Sequence, residues 1–177
     1  MASEAMPAIS IIGTRVAAAP ALIVASLAGV KVKFQESQDG VEVPPFGKKF
    51  DLALELSAGG TRVGGTSAVV RMLAAAAPGG GAEGASCFQE AQVDAWMEFA
   101  ERELDFPEKF DITKASGGLK GQLSSVMASL GAALAQSTFL VGPRITAADV
   151  VVACSLQQIV PGLSGVSPAP AVARWFG

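Results

Sequence analysis

The stretch FLVGPRITAADVVVACSL, residues 139–156, constrains the fold of this 177-residue chain more than any other. Its second half is apolar all round, and a helix of that kind is buried on nearly every side. Thr146 and Asp149 have the spacing of a capping pair: the Thr hydroxyl accepts from the N–H three residues on, and the Asp reaches back to the N–H of Thr146. Ile145 and Val150 are placed to form a hydrophobic staple. The pair has a structural role, because an unmade buried hydrogen bond costs roughly 1–3 kcal/mol.

The first 77 residues show strand and helix patterns in the order βαβ, hairpin, helix. A first helix is predicted to start near Pro20 and to stop at Gly29. A second helix follows Thr66, a plausible N-cap. The prolines in residues 39–51 predict a loop. Strands are predicted at 8–13, 31–36 and 52–56, and TRV, residues 61–63, pairs with the last of them across the SAGG turn. This order suits a thioredoxin-like α/β unit, although the periodicity also admits other α/β arrangements.

A Gly-rich segment, PGGGAEGAS at residues 78–86, is the clearest linker in the chain. After it, apolar residues recur at helical spacing in two stripes, which predicts core-facing helices of a bundle. We therefore predict a thioredoxin-like subdomain at 1–77, a linker at 78–86 and a helical subdomain at 87–177. The stripes comprise Val93, Trp96, Met97, Ala100 and Leu104, and then Leu119, Leu123, Val126, Met127, Leu130 and Leu134.

Composition excludes several classes of function. The net charge of −3 makes nucleic acid a poor partner, and Lys31, Lys33, Lys48 and Lys49 form only a modest basic density. The apolar runs are too short to span a bilayer. The chain has no histidine, which removes imidazole acid–base chemistry and histidine metal ligation. Two distant cysteines, Cys87 and Cys154, leave one disulfide possible, but the better interpretation is two unpaired thiols in a reducing cytoplasm.

Four segments resemble the glutathione-transferase family. Its L-V-G-x-x-[ILV]-T-x-A-D pattern matches Leu140, Val141, Gly142, Ile145, Thr146, Ala148 and Asp149. GTSAVVRMLA, residues 65–74, stands where the family carries [EQ]-S-x-A-I-x-x-[YH]-L. ARWFG, residues 173–177, and EAQVDAWMEFAERELD, residues 90–105, look like segments of the GST-like domains of translation proteins. The resemblance implies a thioredoxin-like half followed by an all-α bundle.

The groups that would hold and ionise glutathione are missing or altered. The chain has no tyrosine, and Thr14 is the only hydroxyl near the end of the first strand. KKFDLALEL, residues 48–56, lacks the proline that the family places before its third strand, and Pro44 and Pro45 lie too far upstream. Gly65 and Thr66 replace the Glu/Gln-Ser pair, which leaves Thr66 as a vestigial glutathione position. We therefore expect no catalytic residue, no cofactor, no metal and no enzyme activity. The alternative is a glutathione-dependent enzyme with an unusual Thr or backbone activator.

Non-catalytic members of the family are assembly modules of the translation machinery. The resemblance implies homodimers or pairing with GST-like domains of aminoacyl-tRNA synthetases, as in synthetase-complex or tRNA-import scaffolds; a gamma subunit of the elongation factor is an alternative. It places Arg174, Trp175 and Arg144 at an interface, with tRNA bound through a further domain beyond Gly177. From the residues alone, a solvated charge explains Arg174 and a core position explains Trp175.

Overall fold

The structure is a computed structural model, and it describes residues 8–45, 47–56, 60–77, 81–104, 111, 113–159 and 168–177. The chain divides into two compact units, Met1–Ala82 and Glu83–Gly177. The division falls within the segment 78–86 that the sequence marks as a linker. The first unit is α/β and the second is all-α.

The described residues of the first unit form a four-stranded sheet, a two-stranded hairpin and two helices. The elements are β1 (Ile9–Gly13), α1 (Arg15–Leu27), β2 (Val32–Glu36), β3 (Val41–Val43), β4 (Lys48–Phe50), β5 (Leu52–Leu56), β6 (Thr61–Gly64) and α2 (Thr66–Ala75). The sheet order is β2-β1-β5-β6; β1 is parallel to β2 and antiparallel to β5, and β6 is antiparallel to β5. The predicted β1, β2, β5 and β6 are confirmed, while residues 57–59 of the predicted turn lie outside the described residues.

The two faces of this sheet are covered differently. Ile11 and Leu54 are opposite each other in neighbouring strands and are fully buried. The next pair along, Ile12 and Ala53, points to the other face, because strand side chains alternate. There it forms a cluster with Val41, Val43 and Phe50 of a β3–β4 hairpin. The expectation of a loop at 39–51 is therefore wrong: the Val-Glu-Val alternation on one side of the prolines is sufficient for a short strand.

Helix α1 begins earlier than its sequence pattern indicates. It starts at Arg15, with Thr14 as N-cap, so Pro20 lies inside the helix rather than in its first turn. Proline removes the hydrogen bond to the carbonyl of Val16. Val16 is exposed, so its carbonyl is open to solvent rather than buried without a partner. The predicted stop is confirmed: Gly29 has a φ of 67°, and the N–H of Val30 donates to the carbonyl of Ala25 at 2.9 Å.

The described residues of the second unit form four helices: α3 (Cys87–Glu103), α4 (Gly117–Leu134), α5 (Ala147–Ile159) and α6 (Pro170–Phe176). α3 packs on α5, and α4 packs on α6. Most of both predicted stripes are buried, whereas Trp96, Leu119 and Met127 are only half-buried. The buried members are Val93, Met97, Ala100, Leu104, Leu123, Val126, Leu130 and Leu134.

Burial of α5 changes along its length. Every residue from Ala147 to Val152 is buried, whereas residues 153–155 are half-buried and Gln157 and Gln158 are exposed. The prediction of a helix buried on nearly every side therefore holds for the first half alone. The exposed polar side chains of the two glutamines show that one side of the second half of the helix faces solvent. In the described ranges, no helix combines the length and apolarity needed to cross a bilayer.

Candidate functional site

Thr14 joins β1 to α1 and is the first polar group of the candidate site in the α/β unit. Its hydroxyl accepts from the N–H of Ala17 at 3.2 Å and so caps the helix. Its own N–H donates to the carbonyl of Asp51 at 3.3 Å. A hydroxyl that accepts one hydrogen bond keeps its proton for another acceptor. The half-buried Thr14 could therefore still donate to a bound group.

The backbone at Gly13, next to Thr14, lies very close to the backbone of Asp51. A Cβ on Gly13 would lie 2.3 Å from the carbonyl oxygen of Asp51. The end of β1 and the residue before β5 can approach this closely because Gly13 has no side chain. No proline stands directly before β5: the cis peptide bond lies at Pro44-Pro45, between β3 and β4.

The start of α2 differs from the sequence expectation. Gly65, with a φ of 96°, is the N-cap, and no side chain caps the helix. Thr66 is the first helical residue, so its predicted capping role is wrong. The left-handed backbone of Gly65 allows the chain to leave β6 and enter the helix one residue earlier. The N–H of Gly65 donates to the carbonyl of Leu52 at 2.9 Å, and this bond ties α2 to the start of β5.

Phe50 fills the space beside this helix start. A Cβ on Gly64 would lie 2.6 Å from the Phe50 ring and 2.9 Å from Val43. On the same face Arg62 donates to Glu55 at 2.7 Å and to the carbonyl of Glu42 at 3.2 Å. The β3–β4 hairpin is thus held against the sheet by a ring and an arginine. The packing role of Phe50 was not predictable from the sequence, because residues 39–51 carry a loop signal.

In the helical unit, the buried carboxylate of Asp149 accepts several hydrogen bonds. Asp149 is 3% exposed, and four donors surround it. Its Oδ2 accepts from the N–H of Thr146 at 2.9 Å and from the Thr146 hydroxyl at 3.0 Å. Its Oδ1 accepts from the N–H of Leu140 and from Nε1 of Trp175, both at 2.9 Å. Charge-assisted hydrogen bonds of this kind compensate a buried carboxylate.

The structure brings Thr146 and Asp149 together as the capping pattern predicts, but with one difference. The Thr146 hydroxyl donates to the carboxylate, whereas the sequence pattern predicts that it accepts from the backbone N–H three residues on. A carboxylate in this position is the stronger acceptor. Of the two residues of the predicted staple, Val150 is buried whereas Ile145 is 42% exposed, and their contact stays a prediction.

The three predicted interface residues have different surroundings. Arg174 is exposed, yet its Nη2 donates to the carbonyls of Leu134 and Ser137, each at 2.9 Å. It therefore caps the C-terminus of α4, where a positive charge is favourable. Trp175 is half-buried, with its indole N–H on Asp149. Arg144 is exposed, and no partner for it is found among the described residues. Their role at an interface stays a prediction.

Both cysteines are free thiols, as the sequence predicts. Cys87 is exposed at the start of α3. Cys154 is half-buried in α5, and burial raises the pKa of its thiol. No group of three or more His, Cys, Asp or Glu residues that could hold a metal ion occurs in the part of the chain that the structure describes.

These features define a protein with the glutathione S-transferase fold. Residues 90–177 match the family described as "Glutathione S-transferase, C-terminal domain". Among solved structures, a class Gtt2 glutathione S-transferase of Vibrio parahaemolyticus has a TM-score of 0.74 at 21% identity, covering 94% of this chain and 90% of that one. Glutathione S-transferase unclassified 2 from Bombyx mori has a TM-score of 0.77 at 15% identity, covering 96% and 86%. The predicted fold class is confirmed.

Two relatives identified by sequence similarity are elongation factors. "Elongation factor 1-gamma" of Danio rerio is 35% identical over an alignment of 101 residues, which covers 49% of this chain and 22% of that protein. The protein of the same name from Carassius auratus is 34% identical over the same length. The match spans less than a quarter of the length of either relative.

Proposed function

We propose that this chain is a GST-like protein-interaction module of the translation machinery. The observation that carries the proposal is its relationship to elongation factor 1-gamma, at 35% identity over 101 residues. That level of identity exceeds the 15–23% shared with the similar solved transferases. Pairing with a second copy, or with GST-like domains of aminoacyl-tRNA synthetases in a tRNA-handling scaffold, is the finer form of the proposal.

The altered polar groups of the α/β unit support a role without catalysis. The carbonyl of Asp51 already accepts from Thr14, and the carbonyl of Leu52 accepts from Gly65. The Phe50 ring fills the space beside Gly64. Backbone groups next to β5 that have internal partners are less available to a bound peptide. A fold also does not carry its chemistry with it, since function depends on the particular site.

The test is self-association of the chain, measured by sedimentation velocity across a concentration series. Arg144→Ala is the sharpest variant, because Arg144 has no partner in the described structure whose loss would confuse the result. We expect it to weaken self-association by about tenfold or more, the effect of about 1.4 kcal/mol. Lys120→Ala, an exposed cation in the same unit, is the matched control and should change nothing. A monomer at every concentration, together with retention on immobilised glutathione, would overturn the proposal.

A glutathione-dependent enzyme is the second candidate, favoured by observations on two threonines. Thr14 stands at the N-terminus of α1 with a hydroxyl proton available, and Thr66 has no capping duty at the start of α2. A hydroxyl at a helix N-terminus is well placed to stabilise a thiolate, because the helix dipole favours negative charge there. Turnover of a chlorodinitrobenzene-type substrate with glutathione would select this candidate.

A further inference from the structure

We infer that the outer edge of β2 pairs antiparallel with the same edge of a second copy of the chain, about a two-fold axis at Phe34. We define the β2 edge as the backbone N–H and C=O groups of Val32, Phe34 and Glu36. The inference goes beyond the proposed function, because it assigns to the α/β unit an interface that is separate from the predicted interface residues of the helical unit.

The β2 strand has a hydrogen-bonded neighbour on one side only. The sheet order places β2 at the end of the sheet, beside β1. The N–H of Ser37, directly after β2, donates to the carbonyl of Gly13 in β1 at 2.9 Å. Backbone groups of successive residues point to opposite sides of a strand, so the other odd-numbered residues of β2 also face β1. The β2 edge therefore faces outward, and it has no backbone partner among the described residues.

The usual structural protection of an edge strand is missing from β2. Edges are commonly closed by a proline, a bulge or a covering segment. The residues 32–36 contain no proline, and their register with residues 9–13 of β1 is unbroken. At the middle of the strand the side chain of Phe34 is 37% exposed. An open edge with an exposed aromatic ring at its centre is suited to pair with another strand.

A two-fold axis at Phe34 uses every group of the β2 edge. It places Phe34 opposite Phe34 of the second copy and Val32 opposite Glu36, which gives three pairs of the hydrogen-bonded kind. A shift by two residues in one direction would oppose the two Lys33 side chains. The same shift in the other direction would replace one strand residue by Gln38, which lies outside β2. Aromatic pairs across two strands also stabilise a sheet.

The charges along β2 favour a second copy as the partner. Lys31 and Lys33 lie at the start of the strand, whereas Glu36 and Asp39 lie at its end and just beyond. Neither lysine has an ion-pair partner in the part of the chain that the structure describes. Antiparallel pairing lays the positive half of each strand along the negative half of the other, twice by symmetry. The sequence of β2 is thus complementary in charge to itself.

Disulfide trapping tests this register, with Cys87→Ser as the background because Cys87 is exposed. Phe34→Cys should form a cross-linked dimer under mild oxidation, since directly opposed Cα atoms are about 5.5 Å apart, within reach of a disulfide. Gln35→Cys is the matched control. Its two copies would be displaced by two residues, roughly 7 Å along the strand, so we expect at least about fivefold less cross-linked dimer. Equal yields, or a higher yield for Gln35→Cys, would overturn the inference.

Hydrogen exchange of the wild type gives a second readout that needs no substitution. The three amides of the β2 edge should become at least about tenfold more protected as the protein concentration rises, whereas the amides of Lys33 and Gln35 should be protected throughout. Phe34→Lys should abolish the concentration dependence, because like charges would be opposed at the axis. Val16→Lys, a change at a 59% exposed residue of the same unit, should preserve it. Protection of the three amides that is absent at every concentration would overturn the inference.

The inference and the proposed function can fail separately. Weaker self-association in Arg144→Ala, with no cross-link through position 34, would leave the proposed function standing and overturn the inference. A cross-link through position 34, with self-association unaffected by Arg144→Ala, would support the inference and count against the proposed function.

Discussion

The indole N–H of Trp175 donates to Oδ1 of Asp149 at 2.9 Å, and this bond joins α6 to the start of α5 across 26 residues of sequence. Asp149 thereby does more than cap its own helix. Its carboxylate gathers a local pair of donors from Thr146 and two distant ones from Leu140 and Trp175. This one buried carboxylate therefore connects the start of α5 with α6 and with Leu140.

Replacing Trp175 by Phe should lower the free energy of unfolding by about 1–2 kcal/mol, because a hydrogen bond to a charged acceptor is lost while most of the ring packing remains. Urea unfolding followed by circular dichroism measures the change. The helices themselves should persist, since Oδ1 still accepts from Leu140. A stability equal to that of the wild type would show that the indole bond contributes nothing.

Removing the carboxylate should cost considerably more. Asp149→Ala leaves four donors without their acceptor in a buried site, and we expect a loss of about 3–5 kcal/mol. Asp149→Asn should also destabilise, because its NH₂ group must face an N–H or O–H donor. Asp111→Asn, a change at an exposed turn, is the control and should stay within about 0.5 kcal/mol of the wild type. Thermal unfolding ranks the three variants, and a mild effect of Asp149→Ala would contradict this view of the network.

Local patterns made part of this network predictable from sequence. Thr146 and Asp149 are three residues apart, so their contact follows from helix geometry alone. The contacts of Asp149 with Leu140 and Trp175 depend on how α4, α5 and α6 pack, and no local signal encodes them. The same holds for Arg174, whose carbonyl partners lie 37 and 40 residues away. The sequence therefore predicted the fold and the capping pair of α5, but not the hydrogen bonds that connect Asp149 to Leu140 and Trp175.

The errors in the α/β unit have equally physical causes. Pro20 suggested a helix start because proline suits a first turn. The helix instead begins five residues earlier, at Arg15, because Thr14 caps it there. Pro44 and Pro45 suggested a loop, although three residues on either side suffice for a short hairpin. Gly65 displaced Thr66 as N-cap because it adopts a positive φ. In each case the residue has the conformational preference on which the prediction relied, but nearby residues determined where the helix or strand begins.

Gly13 should tolerate no side chain. Gly13→Ala places a Cβ 2.3 Å from the carbonyl oxygen of Asp51, so β1 and β5 must separate at this point. We expect a loss of about 2 kcal/mol or more by strain. Gly121→Ala, in α4 with nothing within 4 Å of the new Cβ, is the matched control and should stabilise by about 0.5–1 kcal/mol. In urea unfolding, we expect the changes in the free energy of unfolding of the two variants to have opposite signs. A neutral Gly13→Ala would show that the backbone at Gly13 and Asp51 can move apart without cost.

The two thiols should react at very different rates. Cys87 is exposed at the start of α3, whereas burial raises the pKa of Cys154 and so lowers its thiolate fraction at any given pH. Reaction with a chromogenic disulfide should show one fast thiol and one slow one, and the slow phase should accelerate as the pH rises. Cys87→Ser should remove the fast phase alone. Loss of the slow phase in that variant would reverse the assignment.

Thr14 allows the capping role and the glutathione role to be measured apart. Thr14→Val removes the acceptor for the N–H of Ala17 and should cost about 1 kcal/mol, whereas Thr14→Ser keeps the hydroxyl and should cost little. If the chain is an interaction module, glutathione raises the melting temperature of none of the three proteins, because a ligand stabilises only a state that binds it. If it is an enzyme, glutathione stabilises the wild type and Thr14→Ser, and turnover disappears in Thr14→Val. Thermal melts with and without glutathione therefore decide whether this hydroxyl only begins a helix or also holds a thiolate.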